Sequence, residues 1–437
     1  MSVDDSNPLG NPTSSKTSTA FRTPSQLAEE LQRLSTQIRN FIPQAAQQGD
    51  SFDQTERKVW AMVKEIGFQA MELFVSLQGL GDLGEQLTSA DGKLQIRSEI
   101  PANTILRSIF GEHRFEQWTY SPGKNKTIAL RAISARMQLP ENRFSYLLQE
   151  FSQIFCVESA FNQASDNLQT VLGGKFSVDT LEQVNLRMGV DADAFLEDLP
   201  KPDAEKEGAF LVATADCKGV PLIKKDATKV AAFETAKKRP GNRRMATVTS
   251  VYSVDAFIRT PQSIVAALFR DEVILGEPAR RPEAASLFHD DRSEKEAFTR
   301  RRLQRLLEGD LTGVLRGLRR MGTVQKFSGE KQKDLLRIVG YLAKHQHRMH
   351  YDEYLLAGYP IASGVIEGAC RHLVKDRMER SGMRWTLEGA RSMLNVRAVF
   401  QSDHWNLFQQ QRIANLNANT HPNGNLIKDY QPLTLAC

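Results

Sequence analysis

One apolar run most constrains how this chain can fold. Residues 209–215 read Ala-Phe-Leu-Val-Ala-Thr-Ala and lead directly to Asp216. A short apolar run bounded by turn residues is typical of a buried strand. We predict a turn at 217–219, a second strand at 220–223 and a third at 245–254. Because helix-like patterns flank these strands, the sequence predicts a multidomain α+β fold.

The carboxylate that follows the first predicted strand suggests chemistry. An Asp that leaves a buried strand is desolvated on one side, so it requires a nearby cation or a proton. The alternative for Asp216 is ordinary turn chemistry, which favours Asp at the end of a strand.

The first half of the chain is predicted to be mainly helical. Its first residues are polar and rich in Ser, Thr, Asn and Pro, unlike a secretory signal. The predicted divisions are a disordered leader (1–22), a helical region (23–100), a segment with a β-hairpin (101–140), a helix-turn-helix-like unit (141–190), a catalytic domain (208–400) and a C-terminal tail (401–437).

The segment 141–190 predicts three helices with a glycine turn before the third. Gly173 and the glycine after it end the second helix, and Ser177 caps the third. This order matches a DNA-binding helix-turn-helix unit. Asp179 and Glu182 near the start of the third helix would repel phosphate, so an ordinary helical bundle remains an equal alternative.

Composition limits the setting of the protein. No apolar run approaches the ~20 residues that cross a bilayer, so no membrane partner is expected. The four cysteines are scattered without short pairings. That spacing disfavours a zinc knuckle or a disulfide framework and predicts a reducing cytoplasm.

Positive charge is concentrated in two stretches, although the formal net charge is only +5. Between residues 298 and 350, nine Arg and four Lys stand against two Glu and two Asp; between 371 and 397, seven basic residues stand against three acidic ones. Clustered cations indicate a polyanionic partner such as DNA, and we single out Arg300, Arg301 and Arg302. The alternative is a solvated helix face.

A second candidate carboxylate lies in the C-terminal part. Ser363 and Gly364 are predicted to start a helix that runs to Ser381, and on it Glu367 shares a face with Arg371, Val374, Lys375 and Met378. Small residues at 364, 368 and 369 leave room for a ligand or another backbone. A solvent-exposed Glu367–Arg371 ion pair is the alternative.

Carboxylates from distant parts of a chain are what phosphodiester chemistry requires. Cleavage and strand transfer use two divalent ions about 3.5–4 Å apart. Mg²⁺ prefers oxygen ligands and keeps much of its water, so a few protein carboxylates are enough.

The segments 351–360 and 363–378, continuing to Arg384-Trp385, strongly resemble bacterial insertion-sequence transposases of the ISKra type. The segment 214–221 is similar to the first acidic motif of that family, and 251–261 continues the likeness. The resemblance covers most of the chain from about residue 100.

The resemblance implies a ribonuclease-H-like α/β catalytic domain of the DDE class, here shortened. Asp216 would be the first catalytic acid and Glu367 the third, and both would bind two Mg²⁺ ions, with Mn²⁺ as a substitute. Residues expected near the DNA are Arg371, Lys375, Arg377, Arg384 and Trp385. The implied partners are double-stranded DNA at element ends and targets and further copies of the chain, in the bacterial cytoplasm at the nucleoid.

The sequence departs from the family pattern at the second acid. After 268–271 the pattern runs to about Glu283 and then continues at 286–290, which resembles the segment beyond the second acid. We infer an internal deletion that joins the chain near Glu283. The candidates to replace the missing second catalytic acid are Asp255, Asp271, Asp290 and Asp291.

Three functions remain open from the sequence. The chain is a transposase that cuts DNA with Mg²⁺, a non-catalytic remnant that still binds element ends as a repressor or decoy, or a general helical nucleic-acid-binding protein with structural acids.

Overall fold

The structure is a computed structural model with two compact units. It describes residues 22–89, 91–230, 241–269, 291–361 and 363–435. The first unit combines the residues up to Asp198 with those from Leu387 onward, and the second unit is Leu199–Thr386. The protein is a mixed helix-and-sheet chain, which confirms the α+β prediction. Apart from Arg22, the predicted leader lies outside the described residues.

The described helices are numbered here in chain order. They are α1 (Pro24–Gln48), α2 (Phe52–Leu77), α3 (Ala132–Arg136), α4 (Tyr146–Glu158), α5 (Phe161–Leu172), α6 (Val178–Glu197), α7 (Lys224–Ala227), α8 (Pro261–Phe269), α9 (Arg292–Leu307), α10 (Leu311–Val324), α11 (Gly329–Lys344), α12 (Tyr351–Leu356), α13 (Gly364–Ala369), α14 (Asp376–Met378), α15 (Leu387–Gln401) and α16 (Trp405–Thr420).

The described strands form three small sheets. They are β1 (Gln86–Thr88), β2 (Leu94–Arg97), β3 (Ala102–Ser108), β4 (Gly111–Gln117), β5 (Thr119–Ser121), β6 (Leu130–Arg131), β7 (Phe210–Pro221) and β8 (Arg243–Val254). One sheet has the order β1-β2-β5-β6, and β3 pairs with β4 and β7 with β8.

A helical hairpin begins the first unit, as the sequence predicts. Thr23 and Ser51 each form a capping box at the start of α1 and α2, so the first turns have partners for their backbone N–H groups. Gly49 ends α1 in the left-handed conformation that glycine favours. Leu27 and Leu34, on one face of α1, are buried.

The predicted three-helix segment is present as α4, α5 and α6. Gly173 ends α5 with a positive φ of 84°, and the Ser177 side chain accepts a hydrogen bond from the backbone of Thr180 at the start of α6. The C-terminal glycine of α5 and the N-cap serine of α6 therefore mark these two helix ends as the sequence predicts.

The C-terminal residues complete the first unit. A Cβ added to Gly189 in α6 would lie 2.4 Å from the Cα of Ser392 in α15, so the two helices approach closely because Gly189 has no side chain. The Arg397 guanidinium, which is buried, donates to the Val157 carbonyl. The structure thus divides the chain at Thr386, and the expected division into 208–400 and 401–437 does not coincide with a unit.

The second unit opens with one long hairpin, which corrects the prediction of three strands. β7 and β8 are antiparallel and pair over twelve residues each, from Phe210↔Val254 to Pro221↔Arg243. The predicted turn at 217–219 is extended strand, and Asp216 lies in the middle of β7 opposite Val248. Gly219 fits this extended backbone without a positive φ.

Helices form the rest of the second unit. α9, α10 and α11 enclose a core of Phe298, Leu311, Val314, Leu315, Leu318, Leu335 and Val339. A smaller core joins Val265 of α8, Leu307 of α9 and Leu355 of α12. Within the described residues, no helix combines the length and the apolar character that crossing a membrane requires.

Candidate metal and nucleic-acid sites

The two faces of the β7–β8 hairpin have different environments. Side chains alternate between the faces of a strand, and the even-numbered positions Val220 and Val248 are buried. The odd-numbered positions Leu211 and Val251 are 76% and 65% exposed. Asp216 has an even number, so its side chain leaves the sheet on the face that is covered.

The helix with Glu367 covers that face, and it is not the uniform α-helix predicted to Ser381. α13 ends at Ala369, a π-helical segment spans Cys370–Lys375, and α14 follows. The wider turn changes the spacing, because π-helical hydrogen bonds join residues five apart. Val374 and Met378 are buried while Glu367, Arg371 and Lys375 are exposed, so the five residues do not form one common face.

Cys370 joins this helix to the strand. Its thiol is buried and lies close enough to the Asp216 carboxylate to feel its charge. Burial raises the pKa of the Cys370 thiol, and the neighbouring negative charge of Asp216 raises it further. The raised pKa favours the protonated thiol. No local sequence pattern predicts this proximity, which depends on the packing of the helix on the hairpin.

Glu367 precedes Cys370 by less than one helical turn. Its Oε1 accepts a hydrogen bond of 2.7 Å from the Ser363 hydroxyl, which fixes the side chain at the start of α13. Apart from the adjacent residues and nearby backbone of its own helix, no described atom lies within 4 Å of a Cβ added to Gly364 or Gly368. The space beside Glu367 is therefore open, as the small residues predict, and a ligand can approach it.

Asp216 and Glu367 are suited to Mg²⁺ by chemistry but are few in number. Both are exposed carboxylates on elements that contact each other, and each contributes oxygen, the ligand atom that Mg²⁺ prefers. In the part of the chain that the structure describes, no cluster of three or more His, Cys, Asp or Glu residues is arranged to hold a metal. The two acids supply a partial ligand set.

Two of the four acids considered for the second catalytic position have structural partners. Asp255 accepts a hydrogen bond of 3.3 Å from the backbone N–H of Ala209 at the base of the hairpin. Asp291 caps α9 and accepts from the backbone N–H groups of Ser293 and Glu294. Asp271 and Asp290 lie outside the described residues.

The five residues expected near DNA at 371–385 divide into two groups. Arg371, Lys375 and Arg384 are exposed. Arg377 and Trp385 are buried, and the Arg377 guanidinium lies 4.8 Å from the centre of the Trp385 ring. The Trp385 indole donates to the Met378 carbonyl at 3.1 Å. Because both side chains belong to the core of the second unit, we no longer include them among the DNA contacts.

The backbone of Trp385 also extends the hairpin. Its N–H donates to the Pro221 carbonyl at 3.0 Å, and its carbonyl accepts from the Ile223 N–H at 2.9 Å. These bonds form a parallel bridge between Trp385 and Leu222. Trp385 therefore fixes the end of β7 to the segment that follows α14.

The arginines at 300–302 are also not equivalent. Arg300 pairs with Glu296 at 2.8 Å and covers the Phe269 ring at 4.3 Å. Arg302 lies over the Phe298 ring at 5.2 Å, and partial burial, with Arg305 and Arg301 nearby, lowers its pKa. Arg301 alone is exposed, and its Nε donates to the Ala297 carbonyl at 3.3 Å.

A basic face on α10 is a stronger candidate for phosphate binding than the arginines at 300–302. Leu311, Val314, Leu315 and Leu318 are buried on one side of this helix. Arg316, Arg319 and Arg320 are exposed on the other side, and no ion pair with a described residue neutralises them. Their spacing of three and four residues, opposite the leucines, is the sequence signal that would have identified them.

The outward face of α6 has the opposite charge. Its exposed charged residues are Asp179, Glu182, Arg187, Asp193 and Glu197. Four of the five are acidic, so this face repels phosphate. The structure therefore offers no basic surface on α6 of the kind that a recognition helix uses.

Comparison with known proteins adds no assignment. No protein-family model matches the chain, and no curated protein shows significant similarity to it.

Proposed function

We propose that the chain is a DNA-binding protein of the DDE transposase type, with Asp216 and Glu367 as its surviving catalytic carboxylates. The observation that supports this proposal is the contact between the Cys370 thiol and Asp216. It places the π-helical segment that follows Glu367 against the strand with Asp216, although about 150 residues separate the two acids in the sequence.

The roles of the residues follow from their environments. Asp216 and Glu367 would bind Mg²⁺, which would activate the attacking water or 3′-hydroxyl and stabilise the leaving oxygen when bound. The Cys217 backbone N–H donates to Asp216 at 2.7 Å and the Ser363 hydroxyl donates to Glu367 at 2.7 Å, so each carboxylate has one orienting partner. Arg371, Lys375 and Arg384, with the basic face of α10, would bind the phosphate backbone, which needs exposed cations and no base-specific geometry.

A non-catalytic remnant is the second candidate. It is favoured by the structural roles of Asp255 and Asp291, which leave the two described acids without a third. Loss of a metal ligand impairs the positioning on which this chemistry depends. Such a protein would still occupy element ends and act as a repressor or decoy.

Cleavage of DNA that carries the sequences flanking the coding region tests the proposal. The measurement is Mg²⁺- or Mn²⁺-dependent nicking by the full chain, by Glu367→Gln and by the control Glu353→Gln, an exposed glutamate of the same unit. We expect nicking by the wild type and the control, and a loss of about 10²-fold or more in Glu367→Gln.

Each other result selects a different function. Specific binding to the flanking sequences without nicking by any variant would select the remnant. Binding with no preference for those sequences over scrambled DNA would select a general nucleic-acid-binding protein and overturn the transposase assignment.

A further inference from the structure

Three side chains in the first unit form a continuous hydrogen-bonded chain that the proposed function does not use. Ser108 ends β3, His113 lies in β4, and Glu72 lies in α2. The Ser108 hydroxyl is 2.9 Å from Nε2 of His113, and Nδ1 of the same ring is 2.6 Å from a carboxylate oxygen of Glu72. This is the order of groups in a serine nucleophile, its general base and an orienting acid.

The packing around His113 fixes the imidazole in one orientation. The ring is fully buried and stacks on Phe68, with ring centres 5.0 Å apart and planes 17° apart. With Glu72 accepting from Nδ1, the proton is held on that nitrogen and Nε2 is left as the acceptor for the Ser108 hydroxyl. A base that an acid holds in one orientation is suited to repeated proton transfer.

Two glycines allow the hairpin to approach α2 this closely. A Cβ on Gly111 would lie 2.9 Å from the Phe68 ring, and a Cβ on Gly67 would lie 2.3 Å from the Phe110 ring. The glycines therefore permit the tip of the β3–β4 hairpin to contact α2, and this contact brings Glu72 to His113.

Ser108 also lines a cavity, so a small molecule can reach its hydroxyl. The cavity has a volume of about 380 Å³ and lies beside the β3–β4 tip. Apolar side chains of Ile109, Phe110, Leu172 and Phe176 line it. Its charged lining residues are Lys175 and the pair Arg107–Glu112, whose side chains are 3.0 Å apart. The Lys175 amino group has no ion pair with a described residue, so the cavity is suited to a small, partly apolar ligand with a negative charge.

A backbone donor lies next to the hydroxyl. The N–H of Phe110 is 3.1 Å from the Ser108 oxygen. An oxygen on a carbon bonded to Ser108 would be within reach of the same donor. Negative charge that develops there would then be stabilised by a fixed N–H group, as in an oxyanion hole.

We propose that Ser108 is an activated nucleophile that cleaves small carboxylic esters. The Ser108 oxygen bonds to the ester carbonyl carbon while its proton moves to Nε2 of His113. The bond to the leaving alkoxide breaks, and the alkoxide takes that proton. Water then attacks the acyl-serine and gives its proton to Nε2, the bond from the acyl carbon to Ser108 breaks, and Nε2 returns the proton to Ser108. Glu72 positions the ring through its hydrogen bond to Nδ1.

A fluorophosphonate probe tests the nucleophile directly, since it bonds to an activated serine and releases one fluoride. The full chain is incubated with the probe, and intact mass, fluoride release and the labelled peptide are measured. We expect one label per folded chain, on Ser108, and no label on Ser108→Ala or on chain unfolded in urea. Ser121→Ala is the matched control, because Ser121 belongs to the same unit and donates to the Gly123 carbonyl.

The role of Glu72 as a positioning residue is tested by rate and stability together. Glu72→Gln is expected to slow labelling of Ser108, and hydrolysis of p-nitrophenyl acetate, by about 10²- to 10⁴-fold. Glu72→Asp, which keeps the carboxylate, should recover part of the rate. The thermal midpoint of each variant is recorded beside its rate.

Two results would overturn the proposal. One is a folded wild-type chain that takes up no label. The other is a Glu72→Gln variant that labels Ser108 at the wild-type rate, because the hydrogen-bonded chain would then be a structural contact only.

Discussion

Arg377 and Trp385 show that residue type alone does not distinguish a DNA contact from a core contact. Both have side chains that commonly contact nucleic acid, and both lie in a sequence segment dense in cations. The structure buries them against each other, with Arg377 completely inaccessible to solvent. A desolvated cation over an aromatic ring stabilises a core by about 2 kcal/mol. Composition cannot distinguish this use from a DNA contact, because the same atoms perform both.

Adjacent residues 384 and 385 allow this difference to be measured. We expect Trp385→Ala to lower the free energy of unfolding by about 3–5 kcal/mol, since it removes a buried ring. Arg384→Ala is the control and should cost less than about 0.5 kcal/mol, because its side chain is exposed. Urea unfolding gives both values. Similar stability of the two variants would contradict the buried position of Trp385.

We expect Asp310 to make the free energy of unfolding depend on pH in the acid range. Hydrogen bonds from Arg305 and from the Gly313 backbone at the start of α10 hold the pKa of Asp310 below its usual value. A pKa that is lower in the folded state stabilises the protein above about pH 4, and this contribution is lost as the pH falls through the folded-state value.

Asp310→Asn tests that dependence, because Asn is also a good N-cap residue. The variant should be less stable than the wild type at pH 7, and the difference should shrink as the pH falls below about 4. Urea unfolding at several pH values measures it. A difference that stays constant with pH would mean that the charge of Asp310 does not stabilise α10.

At the scale of elements, short-range signals predicted the helices better than the strands. Ser177 and Gly173 mark helix ends through hydrogen bonds to their near neighbours in sequence. The prediction of a turn at 217–219 in β7 is wrong because Gly219 and the two residues before it, Cys217 and Lys218, resemble a turn. Only the pairing with Met245, which lies on the other strand, shows that this stretch is extended.

The candidate sites show the same difference between local sequence signals and long-range contacts. Asp216 and Glu367 were identified from local patterns, while their connection through Cys370 requires the folded chain. The contact between Glu72 and His113 spans 41 residues and has no local signal. What the sequence could not predict is therefore contact between distant residues, which depends on how elements pack.

We expect the basic face of α10 to contribute to the salt dependence of DNA binding. Replacing Arg316, Arg319 and Arg320 by Gln should weaken DNA binding at low salt and reduce the slope of log affinity against log salt by about 2–3, since each lost phosphate contact removes about 0.9. Thr312→Ala, an exposed change on the same helix, is the control. Fluorescence anisotropy over a range of salt measures both. An unchanged slope would exclude this face from the interface.

At the scale of the whole molecule, the first unit is built from two distant parts of the chain. Residues up to Asp198 pack with residues from Leu387 onward, and the close approach of α6 and α15 at Gly189 joins them. Arg412 reinforces this arrangement, because its guanidinium pairs with Asp191 at 2.8 Å. The N-terminal segment is therefore incomplete without the C-terminal helices.

Gly189→Val tests that junction. The added side chain would collide with the backbone of Ser392, and overpacking of this kind costs about 1–3 kcal/mol. Hydrogen exchange should increase in α6 and α15 together. Val190→Ala, at an exposed position of the same helix, should leave exchange unchanged. Faster exchange in α6 alone would show that the two helices are not joined at this point.

The discontinuous first unit also has a consequence for synthesis on the ribosome. The face of α6 that receives α15 is finished long before α15 itself is made, because the whole second unit is translated between them. At about 5–20 residues per second, the interval is roughly ten to forty seconds. During that time Met188 and Ala192, which are fully buried in the finished protein, lack their final partners. The nascent chain therefore presents an apolar surface to chaperones until its last residues emerge.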